Sequence, residues 1–308
     1  MRKIKRFFVL LTGFILLSLA AWGGSVWWRV HYAPTLPADS ALPEPEPKAG
    51  IVNVLILGLD QLGNEPARAD SIMVLSINQE SGKAALISIP RDARVEIPGH
   101  GLDKINHALA YRGGIALMKR TVSSALGVPI QRYVYTNFKG FTEAVDLLGG
   151  VTMNVEKRMV HRAVNMPSID LHPGLQRLSG EQALGYVRYR GDAHGDNGRM
   201  RRQQEFLQVL AKEVLQPKTF LRLPQLLEQV AQHVRTDMYI SELLSFSRLA
   251  VKVNLDEVVT VSLSGRNINA RGVSYVELDQ EQLEETVRRY LRWERQETAR
   301  EGTAAPQQ

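Results

Sequence analysis

Three short runs open the folded part of the chain: VNVLILGL over 52–59, SIMVLSI over 71–77 and AALISI over 84–89. They are apolar and β-branched, with little polar alternation, as in strands covered on both faces. The polar stretch from Asn78 to Lys83 (NQESGK) reads as the turn joining the second run to the third. Helical spacing follows over 113–127, closed by Gly127, and again over 138–150, closed by a glycine pair. Strands are predicted over 132–137, 151–156, 258–263 and 273–278. Further helices are predicted near 179–187, 198–216, 219–235 and 240–253, with a closing helix over 279–296. Strands and helices interleaved in this way predict one α/β domain over 51–296, a mixed central sheet covered by helices.

The N-terminal pattern is different. MRKIKR is followed by an uncharged stretch from Phe7 to Trp28, 22 residues long. At about 1.5 Å per residue that length spans a hydrocarbon core. Trp27, Trp28 and Tyr32 stand where an interfacial aromatic belt would lie, and the basic residues ahead of the stretch keep that end inside. The expectation is a cytoplasmic tail over 1–6, one transmembrane helix acting as a signal-anchor over 7–28, and an extracytoplasmic domain at the cell membrane. A cleaved signal peptide is the competing reading, because Ser18-Leu19-Ala20 resembles a cleavage site. Residues 29–50 hold five prolines between Pro34 and Pro47 and read as a semi-rigid spacer. Residues 297–308 read as a flexible tail.

Charge narrows the choice of partner. The net charge is +6 over 308 residues, and five of those charges belong to the acid-free first 30 residues, leaving +1 for the rest. A nearly neutral domain argues against nucleic acid as the ligand. The absence of cysteine excludes disulfides and thiolate metal sites.

One internal segment departs from that neutrality. GYVRYRGDAHGDNGRMRRQQEF, Gly185 to Phe206, carries Arg188, Arg190, Arg199, Arg201 and Arg202. Guanidinium groups match phosphate oxygens bidentately, so arginines beside a Gly-Asp loop suggest a polyoxyanion. Phe206, Leu207, Leu210 and Val214 form a helical stripe, and stepping back by fours from Leu207 reaches Gln203 and then Arg199. Arg199 and Gln203 are therefore expected to face inward, and Arg201 and Arg202 outward. A buried Arg199 needs a partner, either a phosphate at the helix N-terminus or the carboxylate of Asp196. Arg188 and Arg190 share a face if the chain is extended there and diverge if it is helical.

The first apolar run ends at Asp60, and the second begins just after Arg68-Ala69-Asp70. If those strands are antiparallel neighbours, the two carboxylates meet at one sheet edge, and two carboxylates with water and substrate phosphate suit Mg²⁺. Alternatively, Asp60 caps a turn and Asp70 pairs with Arg68. The third run delivers Arg91 to the same edge, with Lys104 following in DKIN. Surface ion pairing explains each of these residues singly. Walker-type, zincin and nucleophile-elbow motifs are absent, and the seven histidines show no ligand spacing.

NVLILGLD, RADSIMVLSIN, ISIPRD, DKIN, FKGFTEAVDLLGGV and LSGEQALGYVRYRGDAHGDNGRMRRQQEFL, in this order, resemble the LytR-CpsA-Psr family of cell-envelope proteins. The resemblance covers most of 51–215, and 240–295 fits the family's C-terminal portion. It implies an α/β/α sandwich and a phosphotransferase. Such an enzyme moves a glycopolymer from a polyprenyl-pyrophosphate membrane lipid to peptidoglycan through a phosphodiester. By resemblance, Asp60 and Asp70 are Mg²⁺-linked acids. Arg68, Arg91, Arg188, Arg190 and Arg199 contact pyrophosphate with Gln203 and Lys104, Arg91 and Arg199 also serving catalysis, and Asp196 is a candidate general base. Gly191 stands where the family often carries a charged residue. A non-catalytic lipid-binding regulator and a pyrophosphate-lipid hydrolase are the alternatives. The lipid tail requires an apolar groove, although the apolar runs are read here mostly as ordinary core.

Overall fold

In the computed structural model, the described residues are 45–46, 48–60, 68–162, 168–191, 195–214, 216, 219, 234–239, 242 and 253–294. The expected cytoplasmic tail, membrane anchor, most of the proline-rich spacer and the C-terminal tail lie outside them. Among the described residues no helix is long and apolar enough to cross a membrane.

Fourteen strands occur in chain order among the described residues. They are β1 (Ile51–Leu59), β2 (Ala69–Asn78), β3 (Lys83–Ile89), β4 (Arg94–Ile97), β5 (Gly101–Lys104), β6 (Arg132–Asn137) and β7 (Val151–Val155). After them come β8 (Met159–His161), β9 (Ile169–Leu171), β10 (Gly174–Leu178), β11 (Val234–Thr236), β12 (Val259–Ser262), β13 (Gly265–Ala270) and β14 (Val273–Leu278). The α-helices are α1 (Gly114–Leu126), α2 (Phe138–Leu147), α3 (Gly180–Arg188), α4 (Gly195–Val214) and α5 (Gln280–Thr286).

Six strands form the central sheet in the order β11-β6-β1-β2-β3-β12. β1 runs antiparallel to β2, β2 antiparallel to β3, and β6 parallel to β1. β12 is parallel to β3, and β11 is antiparallel to β6. The sheet is therefore mixed, as expected. The C-terminal ends of β1, β3, β6 and β12 meet the start of β2 at one edge.

The pleat divides the work between the two faces. Leu55, Leu57, Ile72, Val74 and Ile87 join a core with α1 and the C-terminal helix. On the other side Ile56, Gly58, Ser71 and Met73 face a space bounded by α2, α3 and α4. A buried glutamine ties α4 to the sheet: Gln204 donates to Ser88 Oγ at 2.9 Å and to the Val261 carbonyl at 2.8 Å. A second core of α2, α3, β7 and β9 residues supports these helices from outside.

Local signals fix the helix ends. Ser179 caps α3 through a reciprocal capping box with Gln182. Gly180 is required by packing, since a Cβ there would lie 2.2 Å from the Thr142 carbonyl oxygen of α2. Gly127 closes α1 at φ 61°.

Some expectations need correction. Residues 234–236 end no helix; they form β11, where Thr236 Oγ1 donates to the Tyr133 carbonyl at 2.6 Å. The remainder of the helices read over 219–235 and 240–253 lies almost wholly outside the described residues. The closing helix is shorter than expected, changing to a π turn over Val287–Leu291 before Trp293 adopts φ 50°. Val214, at the end of the apolar stripe of α4, is 38% exposed.

Candidate active site

The sheet edge gathers the charged residues. Asp60 and Arg68 close the loop between β1 and β2: the Arg68 N–H donates to Asp60 Oδ1 at 3.1 Å, and the Asp60 N–H returns to the Arg68 carbonyl at 3.1 Å. The turn-capping reading of Asp60 thus holds, and the Arg68 side chain is exposed. Asp70 does not pair with Arg68. Its Oδ1 receives Arg91 Nη1, because β3 ends beside the start of β2. Arg91 also lies 3.6 Å from Asp92, and Lys104 holds Asp92 at 2.7 Å. Lys104 therefore supports Arg91 from behind, with the Tyr275 ring 5.9 Å from its ammonium.

The arginine segment approaches from the opposite side. Arg188 is the last residue of α3, and its guanidinium stands 5.0 Å from the Phe138 ring centre. At Tyr189 the backbone becomes extended, with ψ 134°, so the helix ends between the two arginines. Arg188 and Arg190 consequently line one cavity together with Asp70, Arg199 and Gln203. Arg190 lies 3.4 Å from Asp196, and Arg199 lies 2.8 Å from the same carboxylate. Arg199 is 4% exposed, as the stripe predicts, and its Nε is buried without a hydrogen-bond partner among the described residues. Gln203 accepts from Ser71 Oγ at 3.1 Å and donates to the Val187 carbonyl at 3.3 Å.

Arg202 contradicts the outward expectation. It is 0% exposed and donates to the Tyr189 carbonyl at 2.6 Å. Stepping back by four from Phe206 reaches Arg202, as stepping back from Leu207 reaches Gln203, so the signal lay in the second row of the stripe. Arg201 is exposed as expected and pairs with Glu156 at 2.6 Å. At Gly191 a Cβ would lie 2.6 Å from Tyr189 Oη, so a larger residue there would have to displace the end of that side chain.

Burial and charge set the proton affinities. Burial pushes the Asp196 carboxyl up from the ordinary aspartate range, although Arg190 and Arg91 pull it down. Burial lowers both Arg188 and Arg190, and the charge of Arg91 lowers Arg190 further. Burial also pulls on Arg91, but Asp70, Asp92 and Asp196 more than offset it and the group rises. Partly desolvated cations held close to one another are stabilised by a bound polyanion.

Arg188, Arg190 and Arg199 line a cavity of about 590 Å³, with Arg91 one contact away through Asp70. Most of its lining is apolar, including Ile56, Met73, Phe141, Leu184, Val187 and Phe206. Several of these are core residues by the sequence pattern, and they do pack, but α3 and α4 stand off the sheet far enough to leave a groove. Ser71, Asn137 and His161 also line it and carried no signal in the sequence. Among the described residues no group of three or more acids and histidines could hold a metal.

An amphipathic cavity with a guanidinium rim suits a lipid bearing a polyphosphate head. The profile of the LytR_cpsA_psr family matches residues 37–291. The chain belongs to the LytR-CpsA-Psr family. Among its relatives, the regulatory protein MsrR of Staphylococcus aureus is 37% identical over 191 residues, which are 61% of this chain. That match spans little more than half of MsrR, 57% of its length. The polyisoprenyl-teichoic acid–peptidoglycan teichoic acid transferase TagU of Enterococcus faecalis is 30% identical over 92% of this chain and 95% of its own. Of solved LytR-CpsA-Psr structures, YwtF (TagT) with bound octaprenyl pyrophosphate lipid superposes with a TM-score of 0.61 at 28% identity, covering 82% of this chain and 95% of that one. Bacillus subtilis TagV gives a TM-score of 0.68 at 26% identity, covering 80% and 98%.

Proposed function

We propose that this protein is a phosphotransferase that moves a glycopolymer from a polyprenyl-pyrophosphate lipid to peptidoglycan, forming a phosphodiester. The observation that carries this reading is that Arg188, Arg190 and Arg199 line a largely apolar cavity, and that Asp70, which lines it too, holds Arg91. The likeness to a TagT structure holding octaprenyl pyrophosphate and to TagU supports it. The prenyl chain occupies the apolar depth, and the pyrophosphate lies among the arginines. Phosphoryl transfer asks for charge neutralisation and alignment more than covalent help, which fixed guanidinium groups supply.

Asp196 faces this rim, and its raised proton affinity suits a base that accepts a proton from an acceptor hydroxyl. The hydroxyl oxygen bonds to the sugar-side phosphorus, the bridging P–O bond breaks, and polyprenyl phosphate leaves. Asp70 lines the cavity, and Asp60 stands at the same sheet edge. These two carboxylates would hold Mg²⁺, which takes one or two carboxylates alongside substrate phosphates and water. When bound there, Mg²⁺ would neutralise charge on the phosphates.

In this reading Phe7–Trp28 anchors the protein in the cell membrane with the domain outside, beside its lipid substrate. The test is product analysis with the full chain in detergent, a polyprenyl-pyrophosphate glycan and peptidoglycan fragments. Glycan attached to peptidoglycan through phosphate, with release of polyprenyl phosphate, is expected. Glycan phosphate released to water regardless of acceptor would identify a hydrolase, and tight binding without turnover a regulator.

A further inference from the structure

The buried guanidinium of Arg202 has no place in the transfer step, yet it touches the peptide that separates two of the rim arginines. Its Nη2 donates to the Tyr189 carbonyl at 2.6 Å, and its carbon lies 5.4 Å from the Tyr189 ring centre. Nη1 stands 3.4 Å from Glu156 Oε1, just beyond β7. Glu156 is itself held by Arg201 at 2.6 Å.

Tyr189 is where α3 ends, its N–H making the last bond to the Gly185 carbonyl at 3.0 Å. Carbonyls at a helix C-terminus lack helical partners and sit at the negative end of the dipole, where a cation is favoured. Neighbouring α4 side chains grip this end twice, Gln203 on the Val187 carbonyl and Arg202 on the Tyr189 carbonyl. Tyr189 Oη then donates to the Gly191 carbonyl at 3.0 Å, which fixes the chain beyond Arg190. A fully buried arginine is an expensive way to fill a core, because its charge must be desolvated. Its position explains it better than its packing does.

We propose that Arg202 is a positioning residue that locks the Tyr189 peptide so that Arg188 and Arg190 face the cavity mouth together. Without that lock the backbone can rotate at Tyr189, and the two guanidinium groups no longer meet one ligand. This rests on the reading of Arg188 and Arg190 as pyrophosphate contacts.

The test is a double-mutant cycle on the detergent-solubilised full chain, with octaprenyl pyrophosphate as the probe in equilibrium binding. Arg190→Ala is expected to weaken binding by about tenfold or more, the scale of a lost charge-assisted contact. Arg202→Met is expected to weaken it comparably, and the double variant to bind no worse than the weaker single variant within about twofold. Arg202→Lys, which keeps a donor for the carbonyl, is expected to recover part of the loss and carries the cycle if the Met variant does not fold. Losses that multiply in the double variant would mean that Arg202 does not act through Arg190, and the proposal fails. Wild-type affinity in Arg202→Met, or Arg202→Lys binding no better than Arg190→Ala, with Arg190→Ala impaired, would overturn the positioning role alone. Wild-type affinity in Arg190→Ala would overturn the pyrophosphate reading and the proposal with it.

Discussion

Arg199 Nη2 stands 2.8 Å from Asp196 Oδ1, one helical turn away on α4. The pair joins the candidate base to a guanidinium that also lines the cavity. Burial nonetheless raises the proton affinity of Asp196. A raised value means that the proton is retained to higher pH, so a base role predicts an acidic limb in the pH profile of kcat/KM displaced upward from the ordinary aspartate value of about 3.9. Asp196→Asn is expected to lose the limb along with most of the rate. A limb unchanged in that variant would place the base elsewhere.

Arg91 and Arg190 are only partly buried, so their loss should be felt in chemistry more than in folding. Arg91→Ala and Arg190→Ala are each expected to cost roughly 10²–10³ in transfer rate. Thermal midpoints should stay close to wild type. Arg199→Ala is expected to lose transfer and some stability together, since the side chain is 5% exposed and pairs with Asp196. Steady-state transfer measured beside thermal unfolding separates these cases.

The carboxylates at the sheet edge predict a metal requirement. Chelation of the full chain should suppress transfer, and added Mg²⁺ should restore it. Asp70→Asn should raise the Mg²⁺ concentration needed for half-maximal rate, because it removes one hard anionic ligand and unbalances Arg91. Full activity of the chelated wild-type protein would remove Mg²⁺ from the reaction.

The cavity predicts a separation of tail from head. Leu184 lines the cavity with Val187 and Phe206 and carries no charge. Leu184→Trp should fill part of the groove and weaken octaprenyl pyrophosphate binding, leaving inorganic pyrophosphate binding within about twofold. Overpacking of this kind typically costs about 1–3 kcal/mol of stability, less where a void already exists. Equal loss for both ligands would mean that the tail lies elsewhere.

The convergence of Asp60, Asp70 and Arg91 was legible because three apolar runs fix strand direction, and the pairing of β1, β2 and β3 follows the expected antiparallel order. Arg199 was legible from helical period. Phe206 and Leu207 begin two adjacent rows of α4, and the inward place of Arg202 is legible only from the row of Phe206. The short pairs β4–β5 and β8–β9 have too few residues to establish a period of two. The groove itself was illegible, since Leu184, Val187 and Phe206 have the composition of core. Whether core residues close on the sheet depends on how far α3 and α4 stand from it, which is a tertiary property. The role of Asp92 is relational and carries no signal in the sequence: it links Lys104 to Arg91 across the edge.

The most direct test of the transfer chemistry follows the phosphorus atoms. A polyprenyl-pyrophosphate glycan labelled only at the sugar-side phosphorus would be incubated with the full chain and peptidoglycan fragments. The label should appear in the peptidoglycan in a phosphodiester, with unlabelled polyprenyl phosphate released, and Arg190→Ala should reduce both products together. Label that stays with the lipid, or appears as free glycan phosphate in equal amount without peptidoglycan, would contradict transfer to the wall.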